Sequence, residues 1–115
     1  MIYTVTLNPA LDKTVEVKSL RVDQVNRVSA LRVDAGGKGI NVSKVIAKLG
    51  GESKALTILG GNTGKAISSA LDSAGIPCLT FNVAGETRTN LKVVDPELKT
   101  NTDINEPGPV VDPAT

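Results

Sequence analysis

The first apolar run, "IYTVTL", is rich in β-branched residues and stops at Asn8-Pro9, a turn signal that holds Asn8 away from helical geometry. It predicts a strand. "TVEV" and "RVSALRV" alternate apolar and polar positions as strands with one wet face do, and a polar link near Asp23 to Asn26 separates them, so the two are able to pair. From Gly39 the period changes. Val42, Val45, Ile46 and Leu49 recur at helical spacing before Gly50-Gly51, which predicts a helix turning those four residues toward the core. "SKALTILG" reads as a mostly buried strand, and Ile67, Ala70, Leu71 and Ala74 mark a second helix that begins near Asn62-Thr63 and closes at Gly75. A further strand begins near Cys78 in "GIPCLTFNV".

Strands alternating with helices of this length predict βαβ units and a parallel sheet covered by helices, an α/β class. Two stretches break the rhythm: residues 13 to 33, and "TRTNLKVVD" with "NTDINE" after it. They read as additional strands outside the main sheet. In "VVDPAT", Asp112 stands at a helix N-cap position and Pro113 at the first helical position, so a helix is expected to start there. With only three central strands besides, the chain is expected to be the N-terminal portion of a longer protein.

Length and composition narrow the function. The 115 residues fit one domain, 40% of them are apolar, and 13 basic residues balance 12 acidic ones. The basic residues form no stripe and aromatic residues make up 2%, which argues against nucleic-acid binding. No segment approaches a membrane-spanning length and the opening lacks a charged leader, so no membrane association and a cytoplasmic location are expected. A lone Cys78 and the absence of histidine exclude an internal disulfide, a zinc cluster and an imidazole base within the chain. Cys78 is expected to be a buried structural thiol.

The candidate chemistry gathers in "DAGGKGINVSKVIAKLGG". Gly36 and Gly37 allow a tight turn and a close ligand approach, and the helix behind them points its positive end at that turn. Lys38 adds a cation where helix stability disfavours one, and Asn41 shares its face one turn on. An anion or a hydroxyl-rich ligand fits there; a plain strand-to-helix turn with a solvated lysine fits the local sequence equally well. Neither this segment nor "LGGNTGKA" matches the P-loop, since Leu59 and Ala66 stand where its first glycine and its hydroxyl belong, and Val42 breaks the dinucleotide pattern. Gly60 to Gly64 reads as a turn and helix cap. Asp12, at the C-terminal end of the first strand, is placed to accept hydrogen bonds from sugar hydroxyls or to cap a turn. Arg88 and Asn90 alternate onto one strand face, where a guanidinium can hold a phosphate bidentately or simply meet solvent.

Taken together, "TVTLNPALD", "VNRV", "AGGKGINVSKVIAKLG", "GGNTGKAI", "GETRTNLKV" and "TDINEPGP" resemble, in order, the ribokinase-like sugar kinases of the phosphofructokinase B branch. "GINV", "TRTNLKV" and "TDINEPGP" are most similar to 1-phosphofructokinases, with tagatose-6-phosphate kinases next. The resemblance implies a ribokinase-like α/β fold, a parallel sheet with helices on both faces plus a small β-sheet lid formed by residues of about 13 to 33 and 88 to 106. It implies transfer of the ATP γ-phosphate, with Mg²⁺, to a ketohexose phosphate: fructose 1-phosphate to fructose 1,6-bisphosphate, or else tagatose 6-phosphate or fructose 6-phosphate as acceptor. By motif, Asp12 binds sugar hydroxyls, Gly37 and Asn41 line the sugar pocket, and Lys38 and Arg88 hold the substrate phosphate with Asn90 beside them. The family's general-base aspartate, glycine-rich anion hole and ATP-binding elements have no match here, so no catalytic residue or metal ligand is expected in this chain, which alone should be inactive. A homodimer through the lid is expected. A non-catalytic sugar-phosphate-binding module is the alternative from another class.

Overall fold

In a computed structural model, residues 1–111 are described, so Asp112 and Pro113, the expected helix start, lie outside the described residues. The elements follow as β1 (Ile2–Thr6), β2 (Ala10–Glu16), β3 (Ala30–Gly36), α1 (Lys38–Lys48), β4 (Ser53–Leu59), α2 (Gly61–Ser73), β5 (Cys78–Asn82), β6 (Arg88–Asp95) and β7 (Thr100–Asn105). β1, β4 and β5 form a parallel sheet in the order β1-β4-β5. Parallel neighbours need long crossovers, and α1 and α2 supply them.

The register sets Thr4 opposite Ala55 and Thr6 opposite Thr57, so the buried residues Thr4, Thr6, Ser53, Ala55, Thr57 and Leu59 share one face of the sheet. Both helices pack there. Ile40 of α1 and Ile67 and Leu71 of α2 join Ala35, Ala55, Leu59 and Ile76 in the main core. On the other face Val5, Leu56 and Leu79 stand in line, and Tyr3, Val5 and Phe81 remain well exposed.

The face of α1 expected to enter the core does not. Val42, Val45 and Leu49 are 50%, 55% and 82% exposed, and Ile46 is half-buried, whereas Ile40 and Ser43 are buried completely. The reason is a polar seat that hydrophobic spacing does not register. Ser43 Oγ lies 2.7 Å from Thr4 Oγ1 and 3.0 Å from Ser53 Oγ, which donates to it. With these hydroxyls mutually satisfied, their burial costs little and the serine replaces a valine at the contact. In α2 the buried residues are Gly64, Ile67 and Leu71, while Ala70 and Ala74 face outward. Cys78 is half-buried at the margin of the main core, a correction to its expected full burial.

The residues that broke the βαβ rhythm make a second sheet in the order β3-β2-β6-β7, with β2 parallel to β6 and antiparallel to β3. Its strands reach somewhat beyond the expected limits, starting at Ala10 and ending at Gly36 in the first segment. The two faces differ in chemistry. Val15, Val17 and Val93, with Leu20 and Leu91 against them, form a small apolar cluster on one side. The register places Asp12, Asp34 and Asn90 on the other.

At the far end of this sheet one carboxylate ties the strands together. Asp95 Oδ1 accepts the N–H groups of Ser19, Glu97 and Leu98 at 3.1, 3.0 and 3.1 Å, and Oδ2 accepts that of Leu20 at 2.7 Å. Burial pushes this carboxyl upward, but the four backbone donors outweigh it and hold it below its ordinary value. Among the described residues no helix is long and apolar enough to cross a membrane.

Candidate functional site

Both sheets meet at the turn that precedes α1. β1 ends at Thr6, the chain turns through Asn8-Pro9, and β2 begins at once, so Asp12 belongs to a lid strand and not to the turn after β1. β3 returns antiparallel and ends at Gly36, which delivers the N-terminus of α1 to the root of the lid. Gly36 pairs with Ala10, and a Cβ there would overlap the Asp12 carboxylate. Gly37, the N-cap of α1, has φ 129°, a backbone region that favours glycine, and a Cβ would stand 2.6 Å from the Thr6 methyl.

Gly37 has no side chain with which to cap α1. Thr6, one strand away, takes that role: its Oγ1 accepts the Ile40 N–H at 3.0 Å. The cap therefore locks α1 to β1 as well as satisfying a first-turn donor.

Asp12 faces Asp34 on one side and Asn90 on the other, so three polar side chains project from the same stretch of lid. Arg88, two residues before Asn90, shares that face. Its Nη1 donates to Asn90 Oδ1 at 3.4 Å and its Nη2 to the Asn8 carbonyl at 3.3 Å, both long bonds. Its Nε is buried and has no acceptor among the described residues. A buried guanidinium donor left unpaired is costly, so Arg88 is held in this place at the expense of one hydrogen bond.

Two clefts open beside Asp12. One of about 740 Å³ is lined by Asp12, Asn41, Arg32, Asp34 and Lys44, among others. Another of about 330 Å³ runs across the lid face past Asp12, Asn90, Asp34, Lys92 and Asp103. The structure thus brings Asp12 together with Asn41 and with Asn90, and Arg88 with Asn90. Lys38 is the first residue of α1 and exposed, its side chain making no hydrogen bond or ion pair among the described residues, and neither it nor Arg88 lines either cleft.

Sequence reasoning passed over the β3 contribution. Arg32 Nε lies 2.9 Å from Asp34 Oδ2, and the pair flanks Asp12. The signal was present in the alternation of "RVSALRVDAG", whose even-numbered positions from Arg32 share a face with Asp12. Lys44 also reaches back from α1 to donate to the Ala35 carbonyl. Among the described residues no group of three or more His, Cys, Asp or Glu is placed to hold a metal ion. The side chains that meet on this face are carboxylates, amides and cations, groups able to hydrogen-bond a polar ligand.

The chain thus combines a parallel sheet backed by helices with a second, mixed sheet whose polar face stands at a glycine turn. The family model described as "pfkB family carbohydrate kinase" matches residues 5–113. The chain belongs to that family. It is 45% identical over 105 residues to a 1-phosphofructokinase of Xanthomonas campestris pv. campestris, covering 91% of this chain and 33% of the relative. It superimposes on phosphofructokinase-2 from Escherichia coli, solved in complex with fructose-6-phosphate, with a TM-score of 0.91 at 33% identity, over 98% of this chain and 37% of that one. The same E. coli enzyme, in a tetrameric inhibited form, aligns with a TM-score of 0.89 at 33% identity over 98% of this chain and 37% of that one. The chain spans about a third of the length of these relatives.

Proposed function

We propose that this chain is the acceptor side of an ATP-dependent ketohexose-phosphate kinase of the cytoplasm, acting on fructose 1-phosphate to form fructose 1,6-bisphosphate. The observation that carries the reading is the Arg88 guanidinium, held only by long bonds to Asn90 and Asn8 on the lid face that also presents Asp12. Phosphoryl transfer is achieved mainly by positioning and by electrostatic stabilisation, so an enzyme of this class must first fix the acceptor hydroxyl. The Asp12 carboxylate accepts hydrogen bonds from sugar hydroxyls and sets the ring's orientation. Gly36 and Gly37 keep the floor of the site free of side chains, and Asn41 supplies an amide from the first turn of α1. Arg88 and Lys38 hold the substrate's own phosphate from the lid and the helix start. ATP and Mg²⁺ act on the donor side, through residues outside this chain.

The same reading accounts for the open apolar surfaces, because Tyr3, Val5 and Phe81 on the parallel sheet and Val42, Val45 and Leu49 on α1 would be covered by further chain of the kinase. It also accounts for the lid. Leu31, Val33 and Ile104 are 57%, 47% and 56% exposed beside the Val15-Val93 cluster, a surface suited to a second copy and to a homodimer through the lid.

The test is a coupled kinase assay of the full-length protein with ATP, Mg²⁺ and fructose 1-phosphate, fructose 6-phosphate or tagatose 6-phosphate in turn. The highest kcat/KM is expected with fructose 1-phosphate. Turnover of none of the three would overturn the reading in favour of a non-catalytic sugar-phosphate-binding module.

A further inference from the structure

Glu86 lies in the loop between β5 and β6, exposed, yet its Oε1 accepts the Thr63 N–H at 2.6 Å in the first turn of α2. Gly61 makes room for it: a Cβ at that residue would overlap the same carboxylate, and its φ of 66° is one that glycine adopts freely. α2 has no side-chain cap of its own at Gly60. The carboxylate of Glu86 therefore serves as a cap from outside the helix, and a negative charge at that end is favourable.

The neighbouring bonds show what the cap holds in place. Thr87 N–H donates to the Gly60 carbonyl at 2.9 Å, and Thr87 Oγ1 accepts the Gly60 N–H at 2.8 Å. Val83 N–H donates to the Leu59 carbonyl at 2.9 Å. The whole loop is thus pinned to the β4–α2 junction, and β6 begins at the next residue, Arg88. Arg88 is thus held between this clamp on its N-terminal side and the ladder with β2, where it stands opposite Ala10, while the bonds of its own side chain to Asn90 and Asn8 are long.

The geometry points to Glu86 as a positioning residue: by capping α2 it fixes the start of β6 and so aims the Arg88 guanidinium at the phosphate of the acceptor. This rests on the acceptor-site reading above. The Thr63 backbone N–H and hydroxyl hold the Glu86 carboxyl below its ordinary value, burial opposes them, and the Asn62 N–H adds to the lowering, so the cap favours the charged form.

The experiment compares Glu86→Ala, Glu86→Gln and Arg88→Ala in the full-length protein, measuring KM for fructose 1-phosphate and for ATP together with hydrogen exchange at the Thr63 and Thr87 amides. Glu86→Ala is expected to raise the sugar-phosphate KM several-fold, up to about 100-fold, since small misplacements of a binding group are costly. The ATP KM should hold, and exchange at both amides should quicken. Glu86→Gln keeps an oxygen for the Thr63 N–H and should restore most of the affinity. Should Glu86→Ala not fold, Glu86→Asp, one methylene shorter, is expected to shift the sugar-phosphate KM in the same direction. An unchanged sugar-phosphate KM in folded Glu86→Ala, with Arg88→Ala impaired, overturns the role of Glu86 and leaves the acceptor site standing. An unchanged constant in Arg88→Ala as well overturns the acceptor-site reading and this inference with it.

Discussion

Asn90 stands directly opposite Asp12 in the parallel pairing of β2 with β6, so a carboxylate and an amide leave the same lid face side by side. One is an acceptor only, and the other both donates and accepts, a combination suited to the alternating hydroxyls of a sugar. The pairing depends on register, and a slip of one residue in either strand would turn that strand's member of the pair to the apolar side.

Asp12→Asn tests that pairing with little change in volume. A hydrogen bond to a charged group is worth about 1.5–3 kcal/mol, so kcat/KM for the sugar phosphate in the full-length protein should fall roughly 10- to 100-fold. Circular dichroism should match the parent, since the Asp12 side chain makes no hydrogen bond or ion pair among the described residues.

Much of this architecture was legible in the chain. "IYTVTL", "SKALTILG" and "TRTNLKVVD" became β1, β4 and β6 because β-branched residues and period-two alternation carry the signal for a half-buried strand directly. Arg88 and Asn90 were read onto one face for the same reason. What could not be read was the buried side of α1, because Ser43 enters the core through hydroxyl bonds to residues 39 and 10 positions away in sequence. The cap from Thr6 and the clamp from Glu86 were hidden likewise: each joins a helix start to a distant strand or loop, and no local motif records a long-range partner.

The Thr6 cap should therefore be measurable as stability. Thr6→Val preserves shape but leaves the Ile40 N–H without its acceptor, and loss of a cap costs about 0.5–2 kcal/mol. A denaturant melt should show a lowered midpoint with an unaltered slope. An unchanged midpoint would mean that the bond contributes nothing net.

Asp95 gives the lid a pH dependence of definite sign. Its carboxyl is held below the ordinary value in the folded chain, so its contribution is fully present above the unfolded pKa, about 4, and is lost as pH falls through the lower folded value. Asp95→Asn should accordingly lower the melting temperature at pH 7, with the difference from the parent shrinking in acid as the parent's carboxyl is protonated. A difference independent of pH would show that the charge is immaterial.

Lys38 and Arg88 should not be equivalent. Lys38 is an exposed cation on a flexible stem, while Arg88 is half-buried and bonded to Asn90 and Asn8. Lys38→Ala is expected to raise the sugar-phosphate KM less than Arg88→Ala does, and the effect of Lys38→Ala should weaken more in added salt, as screening of an exposed charge requires. Matched salt profiles for the two variants would argue against the assignment.

The claim on which the account turns is that the lid face around Arg88 holds the phosphate of the acceptor. Steady-state kinetics of Arg88→Ala in the full-length protein tests it most directly. The predicted result is a KM for fructose 1-phosphate raised about 10- to 100-fold, the loss of a charged hydrogen bond, with the KM for ATP nearly unchanged. A KM for fructose 1-phosphate equal to that of the parent, or a loss confined to ATP, would contradict it.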